Sequence, residues 1–313
     1  MNWPILPLSI QIAFLSVGIL LALSSLISIA LVKTRPERNY RELRQRVRTW
    51  WFIVGIFALA VLVNRTVSVV LFGFISFLAF KEYLSLIPTR RADHRVLFWA
   101  YLAIPIQFYW VWHGWYGMFI IFIPVYMFLL LPMRMILVGE TQGFLKAIGT
   151  LHWGLMITVF NLSHMAFMLV LPPENNPAGG VAGLLLYLVF LTEINDIAQY
   201  VWGKSFGRRK ISPKVSPNKT VAGFLGGLLT TTMLAIALAP WLTPLTSGEG
   251  AAAGLLIGVA GFVGDVTISA LKRDIGVKDS GSLLPGHGGI LDRLDSLTYT
   301  APLFFHFAYY LHY

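Results

Sequence analysis

The sequence predicts an all-α, polytopic integral membrane protein with about ten transmembrane helices, and three observations predict it. Of 313 residues, 57% are apolar or aromatic (AVILMFWYC) and only 12% are charged, about half the charged share of a soluble domain. Hydrophobic runs of roughly 15–25 residues recur from end to end, and about 20 residues suffice to cross a bilayer as helix. Lys and Arg gather between alternate runs, the pattern that positive-inside sorting produces.

The first run, Leu8–Val32, is too long for a cleaved signal peptide and lacks a basic n-region and a small-residue cleavage site, so it reads as an anchor. Thr49–Val63 and Val67–Ile87 follow, both short, so that one of them fits a re-entrant segment. Val96–Trp112, Gly117–Val138 and Ala147–Leu171 come next. Pro105, Pro124 and Pro132 interrupt this stretch, as packed spans tolerate. Val181–Ile194, Val221–Leu242, Ala251–Leu271 and Leu297–Tyr313 complete the set. Trp110, Trp112 and Trp115 suit an interfacial belt. There is no fixed-period repeat and no low-complexity tract.

The net charge is +10, from 24 Lys and Arg against 14 Asp and Glu. On a membrane chain this marks a positive cytoplasmic face and not a nucleic-acid partner. Lys33 and Arg35, Arg38, Arg41, Arg44, Arg46 and Arg48 place the first loop inside. Alternation then puts Arg90, Arg91, Arg95, Lys146, the cluster Lys204 to Lys219, and Lys272 to Arg293 inside as well. Only Arg65 falls near an outer turn. An even number of spans leaves both termini outside. The chain has no cysteine, which excludes disulfides, thiolate nucleophiles and Cys-ligated metals. Residues 1–194 form an N-terminal transmembrane region; residues 195–313 form a C-terminal one with two polar cytoplasmic loops.

Those two loops hold the chemistry. The first begins at Asn195-Asp196 and runs through Tyr200, Lys204, Arg208-Arg209-Lys210 and Ser216-Pro217-Asn218-Lys219-Thr220 to Gly223. The second begins at Gly264-Asp265 and ends at Asp295. Asp265 lies well inside an apolar run, where an unpaired carboxylate costs at least about 2.5–3.5 kcal/mol. It therefore needs a metal, a Lys or Arg, or a watery cavity. Ser269 at i+4 and Lys272 at i+7 share its helical face, and a structural ion pair with Lys272 or Arg273 is the plain alternative. Lys278-Asp279, the turn Pro285-Gly286-His287-Gly288-Gly289 and Asp292-Arg293-Leu294-Asp295 follow. Mg²⁺ is typically held by one or two carboxylates plus substrate phosphates, and glycine-rich backbone can present N–H groups to phosphate. Carboxylates, cations and glycines on one side of the membrane read together as a metal–phosphate site.

The stretch Ser269-x-Leu271-Lys272-Arg273-x4-Lys278-Asp279-x-Gly281-x2-Leu284-Pro285-x-His287-Gly288-Gly289-Ile290-x-Asp292-Arg293-Leu294-Asp295 resembles the signature of the phosphatidate cytidylyltransferases, or CDP-diacylglycerol synthases. Asp196, Tyr200, Gly203-Lys204-x-Phe206-Gly207 and Ser216-Pro217-x-Lys219-Thr220 resemble that family too. The likeness is strong over residues 195–296 and only general before them. It implies Mg²⁺-dependent condensation of CTP with phosphatidic acid, giving CDP-diacylglycerol and pyrophosphate in phospholipid biosynthesis, in a bacterial inner membrane.

By that resemblance Asp265 and Asp292 are expected as metal ligands, Asp295 and Asp196 come second, and Ser269 adds an oxygen; a second cation and a homodimer are left open. Lys272, Arg273, Lys278 and Arg293 are expected to hold the triphosphate and the lipid phosphate. Asp279 belongs to the same catalytic set but off the metal. His287, Gly288 and Gly289 would shape the turn and donate to departing pyrophosphate. Tyr200, Lys204, Ser216, Lys219 and Thr220 would bind substrate or cover it.

The chain departs from many family members where Asn218 and Ala222 replace a basic residue and a Glu, and from the aromatic often found where it has Ser280. A relative acting on a different lipid phosphate therefore stays open. A transporter, the general alternative for ten spans, would place polar groups at the midplane of several helices, whereas here they crowd at one face. An enzyme consuming CDP-diacylglycerol would carry an Asp-Gly-x2-Ala-Arg run, which is absent.

Overall fold

The computed structural model describes residues 7–34, 40–88, 90, 94–283 and 288–313, the side chain of residue 42 apart. Helices α1 (Leu8–Thr34), α2 (Arg41–Leu62), α3 (Arg65–Leu86) and α4 (His94–His113) come first. α5 (Tyr116–Ile121) continues through a π turn (Phe122–Met127) into α6 (Phe128–Ile136). α7 (Phe144–Leu155) likewise continues through a π turn (Met156–Phe160) into α8 (Asn161–Met168). Then come α9 (Gly183–Phe206), a hairpin of β1 (Lys210–Ser212) and β2 (Ser216–Thr220), α10 (Val221–Leu242), α11 (Ser247–Asp274), the single turn α12 (Leu291–Leu294) and α13 (Leu297–His312).

Each hydrophobic run coincides with one helical stretch, and among the described residues seven helices are long and apolar enough to cross a membrane. The protein is thus an all-α integral membrane protein apart from one hairpin. Three expectations are corrected. The second and third runs are not short, because α2 and α3 are 22 residues each. The hydropathy run stops at Arg48, but the helix continues through Arg41–Arg48, whose long side chains can leave the apolar layer. Similarly, the span expected to end at Ile194 continues as α9 to Phe206, so Asp196, Tyr200 and Lys204 are helical and not in a loop. The remaining part of that loop is the antiparallel hairpin, with Lys210 opposite Thr220 and Ser212 opposite Ser216.

Local chemistry explains the joints. Pro124 lies in the first π turn; proline lacks an N–H and its ring crowds the carbonyl four residues back, and a widened turn relieves both. Asn64 caps α3 through Val67 N at 2.9 Å. Thr220 caps α10 through Gly223 N at 3.1 Å, and Thr246 with Glu249 forms a capping box on α11. α1 buries only Ile10 and Ser28, as a helix facing lipid should, since lipid tails reward apolar exposure.

The buried core runs through α3, α4, α5, α8, α9 and α13, with Phe80, Tyr83, Phe119, Leu188, Phe304 and Phe305 at its centre. α9, α10 and α11 pack with backbones in close approach. A Cβ on Gly254 would lie 2.7 Å from both Ala235 Cβ and Thr232 Cα, and one on Gly264 would lie 2.6 Å from the Asp295 carbonyl oxygen. Small residues let membrane helices approach closely where hydrophobicity cannot drive them together. At Gly264 this close approach brings Asp265 beside the segment carrying Asp292 and Asp295.

Candidate active site

Four pieces of chain meet where α9 and α11 end and α10 and α13 begin. α9 supplies Asp196 and Gln199, β2 supplies Lys219, and α11 supplies Asp265, Ser269 and Lys272. The segment between α11 and α13 supplies Asp292, Asp295 and Ser296.

Lys219 stands at the centre. Its Nζ lies 2.6 Å from Asp265 Oδ2 and 3.9 Å from Asp196 Oδ1, and donates to Gln199 Oε1 at 2.9 Å. The ion pair foreseen between Asp265 and Lys272 or Arg273 is thereby corrected. Residues seven apart on a helix are about 10 Å apart along its axis, and Lys272 instead reaches Asp292 Oδ1 at 2.7 Å. Ser269 Oγ donates to Asp265 Oδ1 at 3.3 Å, so that serine does sit on the aspartate's face. Ser296 Oγ donates to Asp196 Oδ2 at 2.8 Å.

Asp292 closes the second half of the site. Besides Lys272, it accepts from Ser280 N at 2.8 Å and Gly289 N at 3.0 Å through Oδ2. Burial opposes its charge, but the Lys272, Gly289 and Ser280 hydrogen bonds prevail and hold its carboxyl below the usual carboxylate range. Asp295 goes the other way. Burial first, then the nearby Asp265 and Asp196 charges, push its carboxyl well above that range. Three carboxylates, Asp196, Asp265 and Asp295, are therefore close enough to repel one another.

The other expected residues lie at varying removes. Gly288 adopts φ +82°, open to glycine, and Gly289 supplies the N–H to Asp292. Arg273 Nε donates to the Val215 carbonyl at 3.4 Å, touching the hairpin. Arg293 is exposed, within electrostatic reach of Glu193 and Asp196. Lys278 and Asp279 are exposed beside Ser280. Tyr200 and Lys204 stack on each other, the ammonium 5.8 Å from the ring centre, on an exposed face of α9. Ser216 pairs with Ser212 in the hairpin, and Thr220 caps α10. His287, like Arg35, Arg38 and Arg91, lies outside the described residues.

The sequence reading missed Gln199, Ser296 and, above all, Glu82. Glu82 comes from the last turn of α3 and accepts from Ser280 Oγ, Ile290 N and Leu291 N at 2.5, 2.9 and 2.9 Å. Nothing in its local Lys81-Glu82-Tyr83 setting distinguishes it from an ordinary charged span end. Gln199 had a signal, since it lies one helical turn after Asn195-Asp196.

The donor set suits a hard cation: all its ligand atoms are oxygens. Asp196 Oδ1 is buried and accepts no hydrogen bond, with only the Lys219 ammonium facing it at 3.9 Å, an acceptor that a closer cation would satisfy. Two lysine ammonium groups already occupy cation positions beside Asp265 and Asp292. Among the described residues no three acidic or imidazole groups form a ready-made cage.

The chain is 48% identical over 291 residues to YnbB, an uncharacterized protein of Escherichia coli K12, covering 93% of this chain and 95% of that one. It is 46% identical over 138 residues to a phosphatidate cytidylyltransferase of Synechocystis, and 43% identical over 133 residues to one of Haemophilus influenzae. Those two alignments cover 43% and 41% of this chain and 45% and 46% of those proteins, so under half of either length is shared. The family model described as the cytidylyltransferase family matches residues 44–311. That range takes in every charged group of the site from Glu82 to Asp295, and the chain belongs to the cytidylyltransferase family.

Proposed function

We propose that this protein transfers the cytidylyl group of CTP to phosphatidic acid, forming CDP-diacylglycerol and pyrophosphate for phospholipid synthesis. One observation carries the proposal. Lys219–Asp265 and Lys272–Asp292 stand as two adjacent lysine–carboxylate pairs, a site able to present both cations to phosphate and carboxylates to Mg²⁺.

In the reaction a phosphate oxygen of the lipid forms a bond to the α-phosphorus of CTP as the bond to the β-phosphate oxygen breaks. The lipid phosphate is already anionic, so no strong general base is needed. The obstacle is repulsion between two anions, which fixed cations relieve most where water is excluded. Lys219, Lys272, Arg273, Lys278 and Arg293 would neutralise the triphosphate and the lipid phosphate. Asp265 and Asp292 would hold Mg²⁺, with Asp196, Asp295 and Ser269 alongside. When bound, the ion would withdraw charge from the phosphates and orient them for in-line displacement. The hairpin bearing Lys219 would cover the nucleotide, and Gly288 beside His287 would donate to leaving pyrophosphate, the Gly289 N–H being committed to Asp292.

The membrane arrangement follows the charges: ten spans, both termini outside, and the site in the cytoplasm of a bacterial inner membrane. The contact from Glu82, at the end of α3, to Ile290 and Leu291 supports this. It brings the end of α3 to the side where α11 ends, as that topology requires.

The test is purified protein in detergent with labelled CTP, Mg²⁺ and a panel of lipid phosphates. CDP-diacylglycerol should form, and Asp265→Asn should lower turnover by at least about a hundredfold. Absence of any CDP-lipid would overturn the proposal. Product from another lipid phosphate alone would establish the second reading, a cytidylyltransferase of different lipid specificity. Asn218, Ala222 and Ser280 favour that reading, because they stand where many family members carry other residues.

A further inference from the structure

We infer that Glu82 is a positioning residue for the reaction, through which the N-terminal helices hold the signature segment in its working shape. The inference rests on the proposed function for its activity arm alone.

Ser280 and the Ile290–Leu291 pair lie on either side of the glycine-rich stretch of the signature, one before it and one after. Glu82 binds both sides: Oε1 accepts from Ser280 Oγ and Leu291 N, and Oε2 accepts from Ile290 N. Three hydrogen bonds thus hold the carboxylate from both sides. Hydrogen bonds to a carboxylate are short and about twice as strong as neutral ones.

The space around the carboxylate is shaped for it. A Cβ on Gly289 would collide with Glu82 Oε1, and one on Gly281 would lie 2.9 Å from Oε2. Two signature glycines, Gly281 and Gly289, are therefore accounted for by the approach of a side chain from α3.

Ser280 is held twice. Its N–H goes to Asp292 and its hydroxyl to Glu82. Asp292 in turn holds Lys272 and the Gly289 N–H. Glu82 thus fixes the frame within which Asp292 and Lys272 face the site.

Glu82→Ala, Glu82→Gln and Ser280→Ala test this. Hydrogen exchange of the full-length protein, read on the peptide containing residues 288–294, should lose protection in Glu82→Ala. Glu82→Gln should lose less, since its amide oxygen still accepts on one side. Ser280→Ala should leave Ile290 and Leu291 protected. In the CDP-lipid assay Glu82→Ala should lower kcat on the order of a hundredfold with KM for CTP within about threefold, the pattern of misplaced catalytic groups. Glu82→Gln should recover a measurable part.

Unchanged exchange in Glu82→Ala would overturn the latch, whatever the activity. Lost exchange protection with unchanged turnover would overturn its role in positioning. If Glu82→Ala does not fold, the Glu82→Gln and Ser280→Ala ordering decides the matter. If the wild type makes no CDP-lipid, the proposed function fails while the exchange result still decides the contact.

Discussion

Replacing Lys219 by Met removes the charge at the centre of the site and keeps most of its volume. Lys219 and Asp265 are 2.6 Å apart with side chains only 17% and 22% exposed. Removing one partner of a buried pair costs about 3–5 kcal/mol, because the other is left charged and uncompensated. The residual exposure puts this pair near the lower end, about 3 kcal/mol. Gln199 Oε1 also loses a donor, adding about 1 kcal/mol. Thermal unfolding in detergent should show this loss for Lys219→Met. Adding Asp265→Asn should return most of it, giving a coupling of about 2 kcal/mol or more. Mg²⁺ adds a second readout. If the uncovered carboxylates bind the ion, Mg²⁺ at ten times its Kd should restore about 1.4 kcal/mol to Lys219→Met, and less to the wild type, where the ammonium competes. A loss under about 1 kcal/mol would show the pair to be screened by water. Additive losses in the double variant would remove Lys219–Asp265 as a functional pair.

Asp292→Asn should cut CDP-lipid formation by at least about a hundredfold and cost about 3 kcal/mol, since Lys272 stays buried without its partner; adding Lys272→Met should restore thermal stability but not turnover. The double change Asn218→Lys, Ala222→Glu, in exposed β2 and the first turn of α10, should raise turnover on phosphatidic acid by up to about fivefold, the equivalent of about 1 kcal/mol of exposed ion pairing. A switch in the accepted lipid would instead make these positions specificity determinants. The cysteine-free chain also suits labelling. A cysteine at Asn175 should react with an impermeant reagent in intact cells, and one at Ser205 only after the cytoplasmic face is opened. The reverse result would invert the topology.

The helices were legible because an apolar run long enough to cross a bilayer has few other uses. Their ends were less so. Hydropathy stops at the first charges, whereas backbone hydrogen bonding in α2 and α9 continues past Arg48 and Asp196 into the interface. The hairpin was hidden because β1 and β2 are three and five residues long, too short for a period to register, and Pro213 and Pro217 suggest a plain loop. Within the site, spacing correctly placed Ser269 on the face of Asp265 but offered the wrong cation. A helical pattern ranks neighbours on its own helix and is blind to Lys219, which arrives on a strand.

Glu82 shows the same blindness at greater range, and it also changes how the N-terminal region should be regarded. Residues before Asn195 carry none of the motif residues by which the chain resembles the family, although the family match begins at residue 44, and their apolar runs alone suggest a membrane anchor for the catalytic part. Yet Glu82 binds the signature segment, and Tyr83, the next residue, is fully buried and donates to the Thr150 carbonyl at 2.8 Å. Gly154 makes room for that ring, since a Cβ there would lie against Tyr83. α3 is therefore clamped on one side by α7 and reaches the catalytic segment on the other. A shift of α3 relative to α7 would be felt at Ser280 and Gly289, and through them at Asp292 and Lys272. Because a misplacement of about 1 Å costs on the order of a hundredfold in rate, substitutions at the α3–α7 contact, far from any phosphate, belong among those expected to slow the chemistry.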